Sequence, residues 1–227
     1  AAQQARRRAE ANKATPALGA VRSVLLQGEP ASINDLQALI MDELALLQRR
    51  LRDGTTNGVQ AFWENGAPRG ENYCRDRIVE HLEPHLQKFK VRCYTESTMP
   101  HSTRCDFLNA FGEMNLPVEV KGQWHPELWT AAAVQLQNYT GEYRAQGRGI
   151  YLALWFGRVS RKNPPLIPGE ATIQTAQELE NALHNQYAGR ISEATRIFVL
   201  DVSQPALPKT STRRASPRKR TVKKEEA

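Results

Sequence analysis

Only three cysteines occur in the 227 residues, Cys74, Cys93 and Cys105, an odd and widely spaced set. Their scarcity excludes a disulfide-stapled scaffold and points to a reducing compartment. No Cys-x-x-Cys pair is present, and the one His-x-x-x-His, His81 and His85, spans Pro84, which is expected to break the helix between them; a structural zinc site is therefore excluded as well. No apolar run is long enough to span a bilayer and no secretory pattern opens the chain, so the expectation is a cytoplasmic protein with no membrane partner.

A basic surplus is lacking over most of the chain, although the formal net charge is +7. Of 31 Lys and Arg and 24 Asp and Glu, eight basic and two acidic residues lie beyond Pro208, which leaves residues 1–208 close to neutral. The segment from 204 onward has almost no apolar content and reads as a disordered basic tail, able to hold phosphates non-specifically or simply to keep the chain soluble.

The chemistry gathers in the middle. Residues 103–111 read as a strand, Gly112 to Asn115 as a turn, and residues 116–122 as the antiparallel partner. Side chains alternate along a strand, so Glu119 and Lys121 project to one side and Leu116, Val118 and Val120 to the other. Asp106 and Glu119 can then lie side by side. Two carboxylates held close repel unless a cation lies between them, and hard oxygen ligands suit Mg²⁺ or Mn²⁺. Such an ion polarises a phosphate and acidifies bound water, while a nearby lysine positions that water or offsets developing charge, which is chemistry for phosphodiester hydrolysis.

At these residues the chain resembles the PD-(D/E)xK nuclease superfamily, in its RecB-like branch. That pattern runs from a helical Glu through an Asp and a Glu-x-Lys to a Gln-x-x-x-Tyr; here it is met in order by Glu71, Asp106, Glu119-Val120-Lys121 and Gln135 to Tyr139. Cys105 stands where the family's name has proline. The resemblance covers about residues 69–157. It implies a restriction-endonuclease-like α/β core of order αβββαβ, a mixed central sheet flanked by helices, with an N-terminal helical extension. It further implies a Mg²⁺-dependent deoxyribonuclease in which Glu71, Asp106, Glu119 and the Val120 carbonyl hold Mg²⁺ or Mn²⁺, Lys121 faces the attacking water, and Gln135 and Tyr139 hold the lysine side or the phosphate backbone. Some relatives place a histidine near the metal, which draws attention to His101 and His125. DNA is the implied substrate, and RNA stays open.

Around this core, residues 1–30 form a polar lead and residues 31–68 an amphipathic helix and a loop. Ser32 and Asp35 start that helix, Gly54 ends it, and Leu36, Leu39, Ile40, Leu44, Leu47 and Leu51 make a stripe that must pack on the core or on a partner chain. The nuclease-like domain then runs over 69–203. Within it, residues 90–95 read as a first strand, 149–156 as a buried central strand, 173–187 as a helix and 196–202 as a last strand. Arg69, Arg75, Arg104, Arg144 and Arg148 are candidate nucleic-acid contacts, and Trp124 and Trp129 either pack on the sheet or stack on a base. Gln135 and Tyr139, one helical turn apart, are expected on one face. The chain opens on Ala, so it is expected to be a piece of a longer DNA-processing or anti-phage defence protein. The alternative is a non-catalytic nucleic-acid-binding or assembly module on the same fold.

Overall fold

A computed structural model describes residues 28–96, 104–141, 144–158, 162–166 and 172–204. The N-terminal lead, His101 and the basic tail lie outside the described residues. The first helix, α1, covers Ile33–Asp53; Ser32 caps it by accepting the Asp35 N–H at 3.2 Å, and Arg50 and Arg52 sit in its last turn. After a short hairpin, β1 (Trp63–Glu64) with β2 (Ala67–Pro68), comes α2 (Glu71–Leu86). Three strands follow, β3 (Arg92–Thr95), β4 (Phe107–Phe111) and β5 (Met114–Gly122). A π-helical stretch, Ala132–Leu136, runs into the short helix α3 (Gln137–Thr140). Then come β6 (Gly149–Trp155), α4 (Ala176–Tyr187) and β7 (Thr195–Asp201).

The five long strands form one sheet in the order β3-β4-β5-β6-β7, antiparallel from β3 to β5 and parallel from β5 to β7. This is a mixed α/β architecture with helices on both faces. On one face α1 and α2 pack over Leu116, Val118 and Val120 of β5 and Ile150, Leu152 and Leu154 of β6. On the other, the π-helical stretch and α4 pack over Tyr151, Ala153, Trp155, Ile197 and Val199. Every residue of β6 is buried, which is why its sequence is a continuous apolar run.

Leu36, Ile40, Leu44, Leu47 and Leu51 are all buried in the chain's own core. At about 1.5–3 kcal/mol for each large aliphatic side chain removed from water, this stripe is a main support of the sheet and is closed to a partner chain. The β4–β5 turn is also tighter than expected. Phe111 pairs with Met114, leaving only Gly112 and Glu113 as the turn, with Gly112 at φ +57°. A glycine first in a two-residue loop matches the twist of the flanking strands. Pro84 does not break α2, because it lies in the last turn, where one missing N–H is tolerated before the chain tightens into a 3₁₀ turn over Gln87–Phe89. His85 lies 3.0 Å from Arg50 Nη1 and 3.6 Å from Glu43, on the surface between α1 and α2.

Candidate active site

The site forms where β5 outruns its neighbour. Phe107 pairs with Val118, and β4 starts there. Beyond that point the N–H groups of Val120 and Gly122, on the β4 edge, have no strand to bond. Carboxylates take the strand's place: Asp106 Oδ2 accepts from Val120 N at 2.7 Å and Glu71 Oε1 accepts from Gly122 N at 2.8 Å. Continuing the register by one residue sets Asp106 opposite Glu119. Glu71 reaches the same strand end because it is the first residue of α2, directly after the cap residue Gly70.

Glu119 and Lys121 share the face of β5 opposite the α1–α2 layer, level with Tyr151 and Ala153 of β6. They are 3% and 7% exposed, and Lys121 Nζ donates to Glu119 Oε1 at 2.6 Å. One ammonium thus serves a site with three acids. Burial, with Asp106 and Glu71 adding to it, pushes the Glu119 carboxyl up to about 7 despite the pull of Lys121. Asp106 is raised because burial outweighs the Val120 N–H, Lys121 and Arg75. Glu71 is raised because burial outweighs the Gly122 N–H, His125 and Lys121. Burial works to lower Lys121, but Glu119, Asp106 and Glu71 together overcome it and hold the amine above its ordinary value.

Tyr139 faces this group from α3. Its hydroxyl donates to the Arg104 carbonyl at 2.6 Å, and burial, then Glu119, raises its pKa. Gln135 does not join it: its amide donates to Glu127 at 2.6 Å, at the surface. The two side chains take different partners, Gln135 the Glu127 carboxylate and Tyr139 the Arg104 carbonyl.

The five arginines divide. Arg75 is buried and bonds Asp76 at 2.9 Å and Glu96 at 3.2 Å, and Arg104 pairs with the same Glu96. Arg69 pairs with Glu64 at 3.3 Å and lies over the Tyr73 ring at 4.1 Å. These three border the acids. Arg144 and Arg148 belong to the opposite end of the sheet: the Arg144 carbonyl accepts from Asn115, near the start of β5, and Arg148 precedes β6 and donates to Gln37. At about 3.3 Å per residue, Asn115 lies roughly 20 Å along β5 from Lys121.

Two residues beside the site, Gln123 and Lys162, escape the sequence reading, which does single out His125 and Trp124. Gln123 is fully buried; its carbonyl accepts from Phe156 N at 2.6 Å and its amide donates to the Gly157 and Lys162 carbonyls at 2.7 Å each. It ties the loop after β6 to the end of β5. Lys162 Nζ then stands 3.8 Å over the Trp124 ring. His125 Nδ1 accepts from Glu127 N at 3.1 Å, so its neutral form carries the proton on Nε2, 3.9 Å from Glu71. A cleft of about 430 Å³ opens beside Glu71 between Asn72, Trp124, His125 and Lys162. The only legible signal was Gln123, a polar residue extending a buried apolar strand. Trp129 packs on the sheet, its indole donating to the Pro165 carbonyl at 2.9 Å. A larger cavity of about 850 Å³, lined by Gln37, Asp42, Arg148 and Arg196 among others, lies at the far end near the starts of α1 and β7, away from the acids.

Among the described residues no three Asp, Glu, His or Cys side chains form a ready-made metal-ligand group. The chemistry of the donor set nevertheless fits a hard divalent cation. Glu71, Asp106 and Glu119 each have one carboxylate oxygen held by a donor of the chain, leaving the other to bind, and the Val120 carbonyl points to the same edge as its N–H. Burial raises all three acids, and Asp106 and Glu71 add to the rise of Glu119, so a cation there would offset the cost of burying these charges.

An α/β domain with a buried carboxylate–lysine site at one strand end is thus the class that fold and site define. The chain belongs to the family described as a domain of unknown function (DUF8371), whose model matches residues 36–158 and so spans Glu71, Asp106, Glu119, Lys121 and Tyr139. No curated protein and no solved structure matches it. Among the described residues no helix is long and apolar enough to cross a membrane.

Proposed function

We propose that this domain is a Mg²⁺- or Mn²⁺-dependent nuclease with a restriction-endonuclease-like core, hydrolysing phosphodiester bonds of DNA. The observation that carries this reading is the meeting of Glu71, Asp106, Glu119 and Lys121 at one end of β5, with the Glu119–Lys121 pair buried. Burying an acid and an amine costs several kcal/mol per ion before pairing offsets it, so such a pair is a candidate working group as much as a structural one. The order of elements from α2 to β6 agrees with the core implied by the resemblance.

Asp106, Glu119 and Glu71 would hold the cation, which when bound polarises a phosphate and acidifies water. Lys121 is held protonated by the surrounding carboxylates, so its role is to orient the water or offset charge on the phosphate rather than to take a proton. Tyr139 pins the backbone at Arg104, two residues before Asp106, and so fixes that carboxylate.

The test is cleavage of supercoiled and linear DNA, and of RNA, with Mg²⁺, Mn²⁺ or EDTA, by the wild type and by Asp106→Asn and Lys121→Ala. Metal-dependent cleavage lost in both variants is the expected result. The second reading, a nucleic-acid-binding module, is favoured by the internal bonding of all three acids and predicts binding without cleavage that is indifferent to EDTA.

A further inference from the structure

The cleft beside Glu71 has an unusual wall. Trp124 lies against Gly122, where even a Cβ would come within 2.8 Å of the indole, and its ring is 5.2 Å from that of Phe156. Its outer side is covered by the Lys162 ammonium. Lys162 makes no ion pair among the described residues, although Glu71 lines the same cleft. Its backbone is nevertheless fixed, because the buried Gln123 amide holds its carbonyl. The chain therefore anchors a lysine in the cleft that Glu71 lines, rests its charge on an aromatic face, and gives that charge no carboxylate partner among the described residues.

We infer that this cleft is the subsite for the nucleotide adjoining the scissile bond. Lys162 binds that nucleotide's phosphate, and Trp124 takes its base or sugar. The inference rests on the nuclease reading and deepens it. As the phosphate enters, Lys162 exchanges its aromatic contact for a charge-assisted one, and the ring face it leaves becomes a stacking surface. Stacking needs an unpaired base, so the subsite selects single-stranded or frayed DNA. Asn72 supplies a further polar group to the cleft lining, and Trp124 is packed against Gly122 and Phe156.

The experiment measures binding of labelled single-stranded oligothymidylate in EDTA across a salt series, and kinetics on the same strand with Mg²⁺, for the wild type, Lys162→Ala and Lys162→Arg. Lys162→Ala should weaken binding roughly tenfold at low salt, reduce the log–log salt slope by about 0.7, and raise KM more than it lowers kcat. Lys162→Arg should restore most of both affinity and slope. A Lys162→Ala protein that matches the wild type in affinity and slope overturns the subsite; if the wild type still cleaves, the nuclease reading survives it. Lys162-dependent binding without cleavage by the wild type keeps the subsite and removes the nuclease reading. A wild type that neither binds nor cleaves removes both.

Discussion

Glu119 should make the protein less stable as the pH rises. Its carboxyl stands at about 7, against 4.5 for an ordinary glutamate, and the residue is only 3% exposed. Between those values the folded chain holds a proton that the unfolded chain has released, so stability falls as the pH climbs through this window and levels off above it. At about 1.4 kcal/mol per pH unit, the full loss is about 3 kcal/mol. Asp106 and Glu71 are raised too and add to the same fall, while Lys121, which binds its proton more tightly folded than unfolded, contributes stability that is lost only in strong base. Urea unfolding in EDTA reads this directly. With an m-value of about 2 kcal/mol per M, the midpoint should drop by about 1 M from about pH 5 to about pH 8. Glu119→Gln removes the titrating group and should flatten most of that slope. Equal slopes in the two proteins, or a wild type that gains stability toward neutral pH, would refute the reasoning.

Other outcomes follow from the same geometry. Saturating Mg²⁺ or Mn²⁺ near pH 8 should raise the melting temperature of the wild type, by an amount equivalent to about 2.7 kcal/mol at a hundredfold excess over Kd, and should leave Asp106→Asn unmoved; scanning calorimetry checks both. Gln123→Leu strands the Phe156 N–H and the Gly157 and Lys162 carbonyls and should cost about 2–4 kcal/mol in chemical denaturation. Leu44→Ala should cost about 2–5 kcal/mol with no change in oligomeric state by light scattering, because the side chain is in the core. Tyr139→Phe should cost about 1 kcal/mol of stability and reduce any cleavage more than the bond's own worth, since Asp106 loses its fixed approach.

Periodicity and local chemistry specify those features whose partners lie a few residues apart. The apolar run of residues 149–156 reads as a strand covered on both faces, and β6 is one. Alternation assigned Glu119 and Lys121 to one face of β5, because it depends on neighbours two residues apart, whereas the two-residue turn found in place of the expected four-residue one set Asp106 opposite Glu119 rather than Lys121. The Ser32 cap and the leucine stripe likewise belong to a single helix. Long-range packing of the completed fold set the rest. It directed the stripe of α1 inward, set Arg144 and Arg148 at the wrong end of the sheet for the acids, and used Glu96 to occupy Arg75 and Arg104. It gave the Gln135 amide to Glu127 and the Tyr139 hydroxyl to the Arg104 carbonyl. It also brought Lys162 to Trp124, 38 positions away in the chain, through the hydrogen bonds of Gln123. A strand or helix pattern repeats within the reach of its own backbone bonds, whereas the direction of a long polar side chain is set by whichever partner the completed fold carries within about 3 Å of it.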